Sequence, residues 1–323
     1  MTTLSRSPAE ILEPAARELV EATAPHPRIY EVPPDQGRDI LADLQNGEGV
    51  PKPTVDEAWV TVPGGPTGEI RARIVRPRGA TGPLPVMLYI HGAGWVFGDE
   101  RTHDRLVREL TVGAGCAAVF PVYDRSPEAR YPVAIEQNHT VGEWIVAEGA
   151  KHGLDPSRIA VCGDSVGGNM SAVLALMAKD RGTIPLRAMV LLYPVTDADF
   201  ETGSYREFAD GFYLTRDGMR WFWDQYLPDT GRRTEPYAAP LRASTEQLRG
   251  LPRTLVITDE ADVLRDEGEA FAAKLREAGV DVTAVRVEGM VHDFLMLDSL
   301  RNCNATSAAR RLAIDALRTA LHD

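Results

Sequence analysis

One serine of this sequence, Ser165, lies between two glycines in residues 163–167, GDSVG, directly after the short apolar run 159–162. The pattern G-x-S-x-G between a strand and a helix is typical of a nucleophilic serine on a sharp turn, because side chains two positions away on either side would collide there. The helix that follows would direct its first N–H groups and its positive dipole end at developing negative charge. A tight turn without chemistry uses the same residue types, so a nucleophile requires partners elsewhere in the chain.

A serine nucleophile requires a base, and His292 is the candidate. In a sheet whose strands are joined by helices, the expected chain order is serine, carboxylate, histidine. His292 comes after Ser165 and also after the apolar run 282–287, so its loop is expected at the same edge of the sheet as the serine. An ordinary histidine of a surface loop is the alternative. Three other histidines are expected on solvated faces of helices that precede the serine: His103, His139 and His152.

The carboxylate that orients the histidine should follow the preceding strand, residues 254–258. Several acids lie close together there, in the sequence DEADVLRDE that begins at Asp259. Asp266 and Glu267 are expected at the start of the next helix, where acids interact favourably with the helix dipole. Spacing alone therefore leaves two candidates open, Asp259 and Asp262.

An oxyanion hole is expected in the loop after the third predicted strand, where the sequence HGAGW is close to the H-G-G-G loop of lipases and esterases. Small residues let the backbone approach a tetrahedral oxygen closely. We assign two donors to the N–H groups of Ala93 and Gly94, with Gly92 shaping the loop. The N–H group of Val166, directly after the serine, is the third donor. His91 is expected to hold the loop by hydrogen bonds.

Short apolar runs alternate with amphipathic stretches over most of the chain, which predicts a parallel sheet that is buried on both faces by helices. The first two strands, 55–62 and 69–76, flank the turn sequence PGGPTG and are expected to form an antiparallel hairpin. Six further strands are predicted at 86–90, 117–122, 159–162, 189–193, 254–258 and 282–287. Helices are predicted at 101–112, 133–148, 167–179, 266–278 and 305–321. The fold class is therefore α/β, with a mostly parallel eight-stranded sheet flanked by helices.

Two segments lie outside this alternation and are expected to form a helical cap. Residues 1–50 are an arm rich in proline and charge, and residues 198–245 are an insertion after the sixth strand; the core then comprises 51–197 and 246–323. An insertion at the carboxyl end of a strand lies where open α/β sheets bind ligands, so its aromatic residues are expected to line a pocket and also to form a small core of the cap. These aromatic residues are Phe200, Tyr205, Phe208, Phe212, Tyr213, Trp221, Phe222, Trp223, Tyr226 and Tyr237.

The composition argues against several classes of function. The formal net charge of −12 and the pI near 5.1 disfavour contact with nucleic acid. No apolar stretch is long enough to cross a bilayer and no signal peptide is evident, which favours a soluble cytoplasmic protein. The three cysteines contain no CxxC pair, so they are expected to be reduced, and neither a metal nor an organic cofactor is expected. Pairing of an edge strand near 282–287 would permit a homodimer.

Together these motifs resemble those of the hormone-sensitive-lipase family of α/β-hydrolases, also called bacterial type IV esterases. HGAGW resembles the family sequence H-G-G-G-[FWM], and GDSVGG resembles G-D-S-A-G-G. DVLRDE resembles D-P-L-R-D-E, whose first residue is the triad acid, so the resemblance selects Asp262 over Asp259. The stretch HDF resembles H-G-F, whose histidine is the triad base. Four positions depart from the family pattern without removing a catalytic group: Ala93, Val166, Val263 and Asp293.

The resemblance implies a serine carboxylesterase, which hydrolyses short- to medium-chain acyl esters of small molecules through an acyl-enzyme intermediate. Ser165 would attack the ester, His292 would take its proton, and Asp262 would orient the imidazole. Two alternatives stay open. One is a deacetylase or amidase that uses the same triad, and the other is a non-catalytic small-molecule receptor on the same fold. Receptors of that kind tend to lack a member of the triad, whereas all three are present here.

Overall fold

An eight-stranded sheet organises the chain in the computed structural model, which describes residues 7–47 and 49–323. Across the sheet, the strands follow the order β1-β2-β4-β3-β5-β6-β7-β8. The predicted sheet and its opening hairpin are confirmed. The strands are β1 (Val55–Pro63), β2 (Glu69–Pro77), β3 (Leu84–Ile90), β4 (Ala117–Val122), β5 (Leu154–Asp164), β6 (Leu186–Leu192), β7 (Arg253–Ala261) and β8 (Val282–Val291).

One strand, β2, runs against the direction of the others. It pairs antiparallel with β1 on one side and with β4 on the other. All other neighbours in the sheet pair parallel. The carboxyl ends of β3, β5, β6, β7 and β8 therefore lie at one edge of the sheet, where the loops that follow them can meet.

Helices connect the strands and cover the sheet. Within the described residues, the α-helices are α1 (Pro8–Ile11), α2 (Pro14–Thr23), α3 (Pro34–Leu44), α4 (Asp104–Ala114), α5 (Val133–Glu148), α6 (Val166–Arg181), α7 (Gly203–Glu207), α8 (Arg216–Tyr226), α9 (Thr245–Leu248), α10 (Arg265–Glu277) and α11 (Asn304–His322). The predicted arm contains α1 to α3, with residues 1–6 and 48 outside the described residues, and the predicted insertion contains α7 and α8. None of the helices in the described residues combines the length and the apolar character that crossing a bilayer requires.

The central strands are buried on both faces because helices pack against each of them. Residues 85–90 of β3 and 159–164 of β5 are all buried. Helix α6 packs on β5 and β6, α10 packs on β7 and β8, and α11 contacts α4 as well as the central strands. This arrangement explains the continuous apolar runs of the sequence, since a strand that is covered on both sides has no polar face.

Two histidines lie in the interior, so the expectation that His103 and His139 occupy solvated faces was wrong. His103 precedes α4 and is fully buried, with Nε2 3.1 Å from a carboxylate oxygen of Asp164. His139 is 2% exposed, and its Nε2 lies 2.9 Å from Oγ1 of Thr183. Each imidazole has a polar partner inside the protein, which offsets the cost of removing it from water.

Candidate active site

The turn between β5 and α6 holds Ser165 in a conformation that places its side chain above the sheet edge. Ser165 has φ 53° and ψ −120°, an uncommon region for a residue with a side chain. Its N–H donates to the Leu192 carbonyl at 2.8 Å, which ties the turn to the end of β6. A Cβ atom on Gly163 would overlap the Gly167 carbonyl, and one on Gly167 would overlap the Ile90 carbonyl. The two glycines of the motif are therefore required by close backbone approach.

Ser165, His292 and Asp262 form one hydrogen-bonded row. His292 Nε2 lies 2.9 Å from Ser165 Oγ, and His292 Nδ1 lies 2.7 Å from Asp262 Oδ2. The second carboxylate oxygen of Asp262 accepts the Leu264 N–H at 2.9 Å, which fixes the carboxylate in this orientation. All three side chains are almost completely buried. The row has the geometry of a nucleophile, a base and a group that holds the base in one tautomer.

The topology explains why residues so distant in sequence meet. Ser165 follows β5, Asp262 follows β7 and His292 follows β8, and these strands end at the same edge of the sheet. The structure brings Asp262 to the imidazole, and not Asp259, which spacing alone had left open. Asp259 is fully buried, and its carboxylate accepts no hydrogen bond from the described residues. Burial and the nearby Asp262 carboxylate raise the pKa of Asp259 well above its usual range.

The charges around His292 favour its protonated form. Burial alone would lower the pKa of His292, but the carboxylates of Asp262 and Asp293 outweigh burial and raise it. Asp293 Oδ1 lies 3.5 Å from His292 Nε2, on the same nitrogen that faces Ser165. The base is thus flanked by one carboxylate on each ring nitrogen, an arrangement that stabilises the imidazolium formed when the serine loses its proton.

The loop after β3 carries two of the three N–H groups that were predicted to bind an oxyanion, those of Ala93 and Gly94, and the third, that of Val166, begins α6. Ala93, Gly94 and Trp95 have φ values of 72°, 67° and 60°, so three consecutive residues adopt the left-handed conformation. Within residues 7–47 and 49–323, no acceptor forms a hydrogen bond with the N–H of Ala93, Gly94 or Val166. The N–H of Gly92 instead donates to Asp164 Oδ1 at 3.2 Å. Gly92 therefore shapes the loop, while the other three amides remain available to a ligand.

Asp164, next to the serine, holds the loop after β3 by hydrogen bonds. This role was not predicted from the sequence. Besides the Gly92 N–H, its carboxylate accepts the Tyr89 hydroxyl at 2.6 Å and lies 3.1 Å from His103 Nε2. Burial would raise the pKa of Asp164, but His103 and Tyr89 hold it below its usual value. A fully buried carboxylate needs hydrogen-bond donors or a positive charge nearby. In the sequence, the Asp of GDSVG and the histidine before α4 were the residues from which this pair could have been predicted.

His91 supports the loop, in agreement with its predicted structural role. Its Nδ1 lies 2.9 Å from the Gly92 carbonyl, and the Tyr123 hydroxyl donates to the His91 carbonyl at 3.0 Å. The rings of His91 and Tyr123 stack with their centroids 4.2 Å apart. Burial, together with the charge of His103, lowers the pKa of His91 to about 3, so the imidazole is neutral at ordinary pH.

A cavity of about 400 Å³ opens onto Ser165, His292 and the loop after β3. Its walls come from the arm, through Ile29 and Leu41 for example, and from the insertion, through Tyr213 and Phe222. Phe222 lies directly against Gly94, where a Cβ atom would overlap its ring. The walls are mainly apolar, so the cavity suits a small, largely apolar molecule with one polar reacting group.

Asp259, Asp262 and His292 also form the one cluster within the described residues whose ligand atoms could surround a metal, since these atoms lie within 4.8 Å of one another. The Asp262 and His292 atoms of this cluster are already paired with each other at 2.7 Å. A metal would have to break this pair inside a buried space. The donors therefore fit a hydrogen-bonded triad better than a metal centre.

Comparisons with known proteins agree with the fold. A family described as having the α/β-hydrolase fold matches residues 87–296 of the chain. The carboxylesterase NlhH of Mycobacterium tuberculosis is 39% identical over 79% of this chain and 79% of its own length. The carboxylic ester hydrolase LipN of the same organism is 38% identical over 85% of this chain and 73% of its own.

Among solved structures, a thermostable esterase from Pseudomonas putida superposes with a TM-score of 0.94. It is 46% identical in sequence, and the match covers 97% of this chain and 98% of that protein. The family match spans more than half of the chain, and these relatives are named as esterases or ester hydrolases. The chain therefore belongs to the α/β-hydrolase family, in the group of hormone-sensitive-lipase-like, or bacterial type IV, esterases.

Proposed function

We propose that this chain is a serine carboxylesterase that hydrolyses short- to medium-chain acyl esters of small molecules through an acyl-enzyme intermediate. The observation that carries the proposal is the hydrogen-bonded row of Ser165, His292 and Asp262 at the wall of an apolar cavity. The names of the relatives, a carboxylesterase and a carboxylic ester hydrolase, support the same reaction.

In the first half of the reaction, Ser165 is acylated. His292 Nε2 takes the serine proton while Oγ forms a bond to the ester carbonyl carbon, and the carbonyl electron pair moves onto oxygen. The N–H groups of Ala93, Gly94 and Val166 bind this oxyanion in our proposal. When the carbonyl re-forms, the bond to the alcohol oxygen breaks, and the leaving alcohol receives the proton from Nε2.

In the second half, water hydrolyses the acyl-enzyme. His292 takes a proton from the water, whose oxygen attacks the acyl carbon, and the same three amides bind the second oxyanion. Collapse of this intermediate returns the proton to Ser165 Oγ and releases the carboxylic acid. Asp262 keeps Nδ1 of the imidazole protonated in both halves, so Nε2 is available as the base.

The proposal extends to the cap and the substrate size. We propose that residues 1–50 and 198–245 together form the cap, on a core of 51–197 and 246–323, because both segments line the cavity. Its volume of about 400 Å³ lies toward the lower end of the roughly 300–1,000 Å³ that is usual for ligand pockets. This size favours short and medium acyl chains over long ones.

The decisive experiment compares the wild-type protein with Ser165→Ala on p-nitrophenyl esters of increasing acyl length. We expect turnover of the acetate and butyrate esters by the wild type, weaker turnover of long-chain esters, and loss of turnover in the variant. The alanine variant should show an unchanged circular dichroism spectrum, since it loses one hydroxyl only. Wild-type rates in Ser165→Ala would refute the mechanism, and an optimum at long chains would refute the size argument.

Two further measurements separate this proposal from the alternatives. A fluorophosphonate probe should label wild-type Ser165 and leave the alanine variant unlabelled, whereas a non-catalytic receptor would remain unlabelled in both forms. Parallel assays of p-nitrophenyl acetate and the matching anilide should favour the ester. Faster cleavage of the anilide would assign the triad to an amidase.

A further inference from the structure

Asp293 is a carboxylate on the wall of the cavity, beside the reacting nitrogen of the base. Its side chain is 9% exposed, and Oδ1 lies 3.5 Å from His292 Nε2. Its backbone has φ 64°, and its carbonyl accepts the N–H groups of Met296 and Leu297 at 2.8 and 2.9 Å. The turn that follows β8 therefore holds Asp293 firmly in this position.

The carboxylate of Asp293 has no hydrogen-bond donor within the part of the chain that the structure describes. Oδ1 is buried and accepts no hydrogen bond, although His292 Nε2 lies 3.5 Å away, and no described side chain or amide donates to either oxygen. A buried carboxylate without donors loses the free energy of its hydrogen bonds to water and gains none from the protein in return. A ligand in the cavity that brings a donor to Asp293 would recover this energy.

The other charges of the cavity do not cancel that of Asp293. Apart from His292, the charged residues that line it within the described chain are Arg28 and Asp293. Arg28 already forms an ion pair with Asp210 at 2.7 Å, at the side of the arm. Burial raises the pKa of Asp293 to about 6, so the group still carries its negative charge above neutral pH.

The position of Asp293 corresponds to the alcohol side of an ester. The leaving oxygen must come within about 3 Å of His292 Nε2 to receive its proton. Asp293 Oδ1 lies 3.5 Å from the same nitrogen, so the leaving oxygen and Oδ1 are at most about 6.5 Å apart. A donor on the neighbouring carbon of the alcohol can lie between them and form a hydrogen bond to Asp293.

We infer that Asp293 determines specificity for the alcohol part of the ester. It favours alcohols that carry a hydroxyl or a protonated amine beside the ester oxygen, and it disfavours alcohols that carry a carboxylate there. This inference rests on the proposed esterase function and names a substrate class for it, esters of diols, polyols and amino alcohols. Asp293 does not select the acyl part of the substrate.

The test uses three butyrate esters that differ only at the end of the alcohol: 2-hydroxyethyl, propyl and carboxymethyl butyrate. Hydroxyethyl and propyl have nearly the same shape, so the ratio of their kcat/KM values isolates the donor. At pH 8 the wild type should favour the hydroxyethyl ester over the propyl ester by at least about tenfold, the lower end of the usual effect of a hydrogen bond to a charged group. The carboxymethyl ester should be the poorest of the three.

Two variants of Asp293 separate its charge from its hydrogen bond. Asp293→Gly suits the left-handed backbone, and it should bring the hydroxyethyl-to-propyl ratio close to one and improve the carboxymethyl ester. Asp293→Asn keeps an acceptor and should retain part of the hydroxyl preference, while losing the discrimination against the carboxylate. The control is Met219→Leu, which changes the same cavity without changing its charge and should leave both ratios as they are.

Each outcome is informative because the ratios are measured within one protein at a time. Equal rates on hydroxyethyl and propyl butyrate in the wild type, or unchanged ratios in Asp293→Gly, would overturn the role of Asp293 and leave the esterase proposal intact. A preference for carboxymethyl butyrate would assign the cavity to anionic substrates. If the wild type cleaves none of these esters and no p-nitrophenyl ester, the esterase proposal fails and this inference fails with it.

Discussion

The contact between Gly94 and Phe222 predicts how the cap and the oxyanion loop depend on each other. Gly94 has φ 67°, and a Cβ atom at this position would overlap the Phe222 ring. Gly94→Ala therefore carries two costs. The left-handed backbone disfavours alanine by roughly 1–2 kcal/mol, and the collision forces either the ring or the loop to move.

If the loop moves, the Gly94 N–H leaves the position where it would bind an oxyanion. Loss of one such donor typically costs about 3–4 kcal/mol, so kcat on p-nitrophenyl acetate should fall by about 10²–10³-fold. Gly250→Ala is the matched control, because Gly250 has φ 80° and nothing within 4 Å of the added methyl group. Urea unfolding of this control should show the backbone cost alone, with kcat unchanged.

The double variant Gly94→Ala/Phe222→Ala tests whether the collision is the cause. Removing the ring makes room for the methyl group, so kcat of the double variant should exceed that of Gly94→Ala, and the two changes should be strongly non-additive. Wild-type kcat in Gly94→Ala would show that the Phe222 ring moves instead of the loop, and would refute the coupling between the cap and this loop. Additive effects would show that Phe222 does not position the loop.

Two further predictions concern buried charges near the triad. Asp293→Asn removes one of the carboxylates that, with Asp262 and Asp259, raise the pKa of His292. Since the base must be neutral to act, the acid limb of the kcat/KM profile on p-nitrophenyl acetate should move to lower pH. An acid limb at the wild-type pH would show that the charge of Asp293 does not affect the imidazole. Asp164→Asn leaves His103 without its carboxylate partner and should reduce the free energy of unfolding in urea by about 3 kcal/mol; a loss below about 1 kcal/mol would contradict the role given to this pair.

Local sequence patterns were sufficient to predict most of the fold. Helix α5 was predicted with the same bounds that the structure shows, Val133–Glu148, because Pro132 and Gly149 flank it. Continuous apolar runs identified the central strands, since a strand buried on both faces has few polar positions, whereas the edge strand β8 is partly exposed over residues 282–288. The same pattern did not predict the burial of His103, which precedes α4, or of His139, which lies in α5. A polar residue at such a position can face either solvent or the interior, and its type alone does not indicate which.

The candidate site was predicted less completely, because its details depend on distances between remote residues. Spacing left Asp259 and Asp262 equivalent, and the family resemblance selected Asp262. The packing of β7 beside β8 agrees with that choice, since it brings Asp262 Oδ2 to 2.7 Å from His292 Nδ1. Asp293 was visible in the sequence merely as a departure from H-G-F. Its distance to His292 Nε2 and its lack of donors are properties of the folded turn, which no local pattern encodes.

The loop after β3 is held by both predicted cap segments, so substrate binding and catalysis are mechanically linked. From the insertion, Tyr226 stacks on Trp95 with ring centroids 4.1 Å apart, next to the contact of Phe222 with Gly94. From the arm, Arg38 donates to the Val96 carbonyl at 2.9 Å. Three consecutive left-handed residues, 93–95, are not a stable conformation by themselves, and these contacts supply part of the stabilisation that the loop needs. If these amides bind the oxyanion as we propose, a substrate that displaces the cap would disturb them, which favours molecules that fit beneath the cap without moving it.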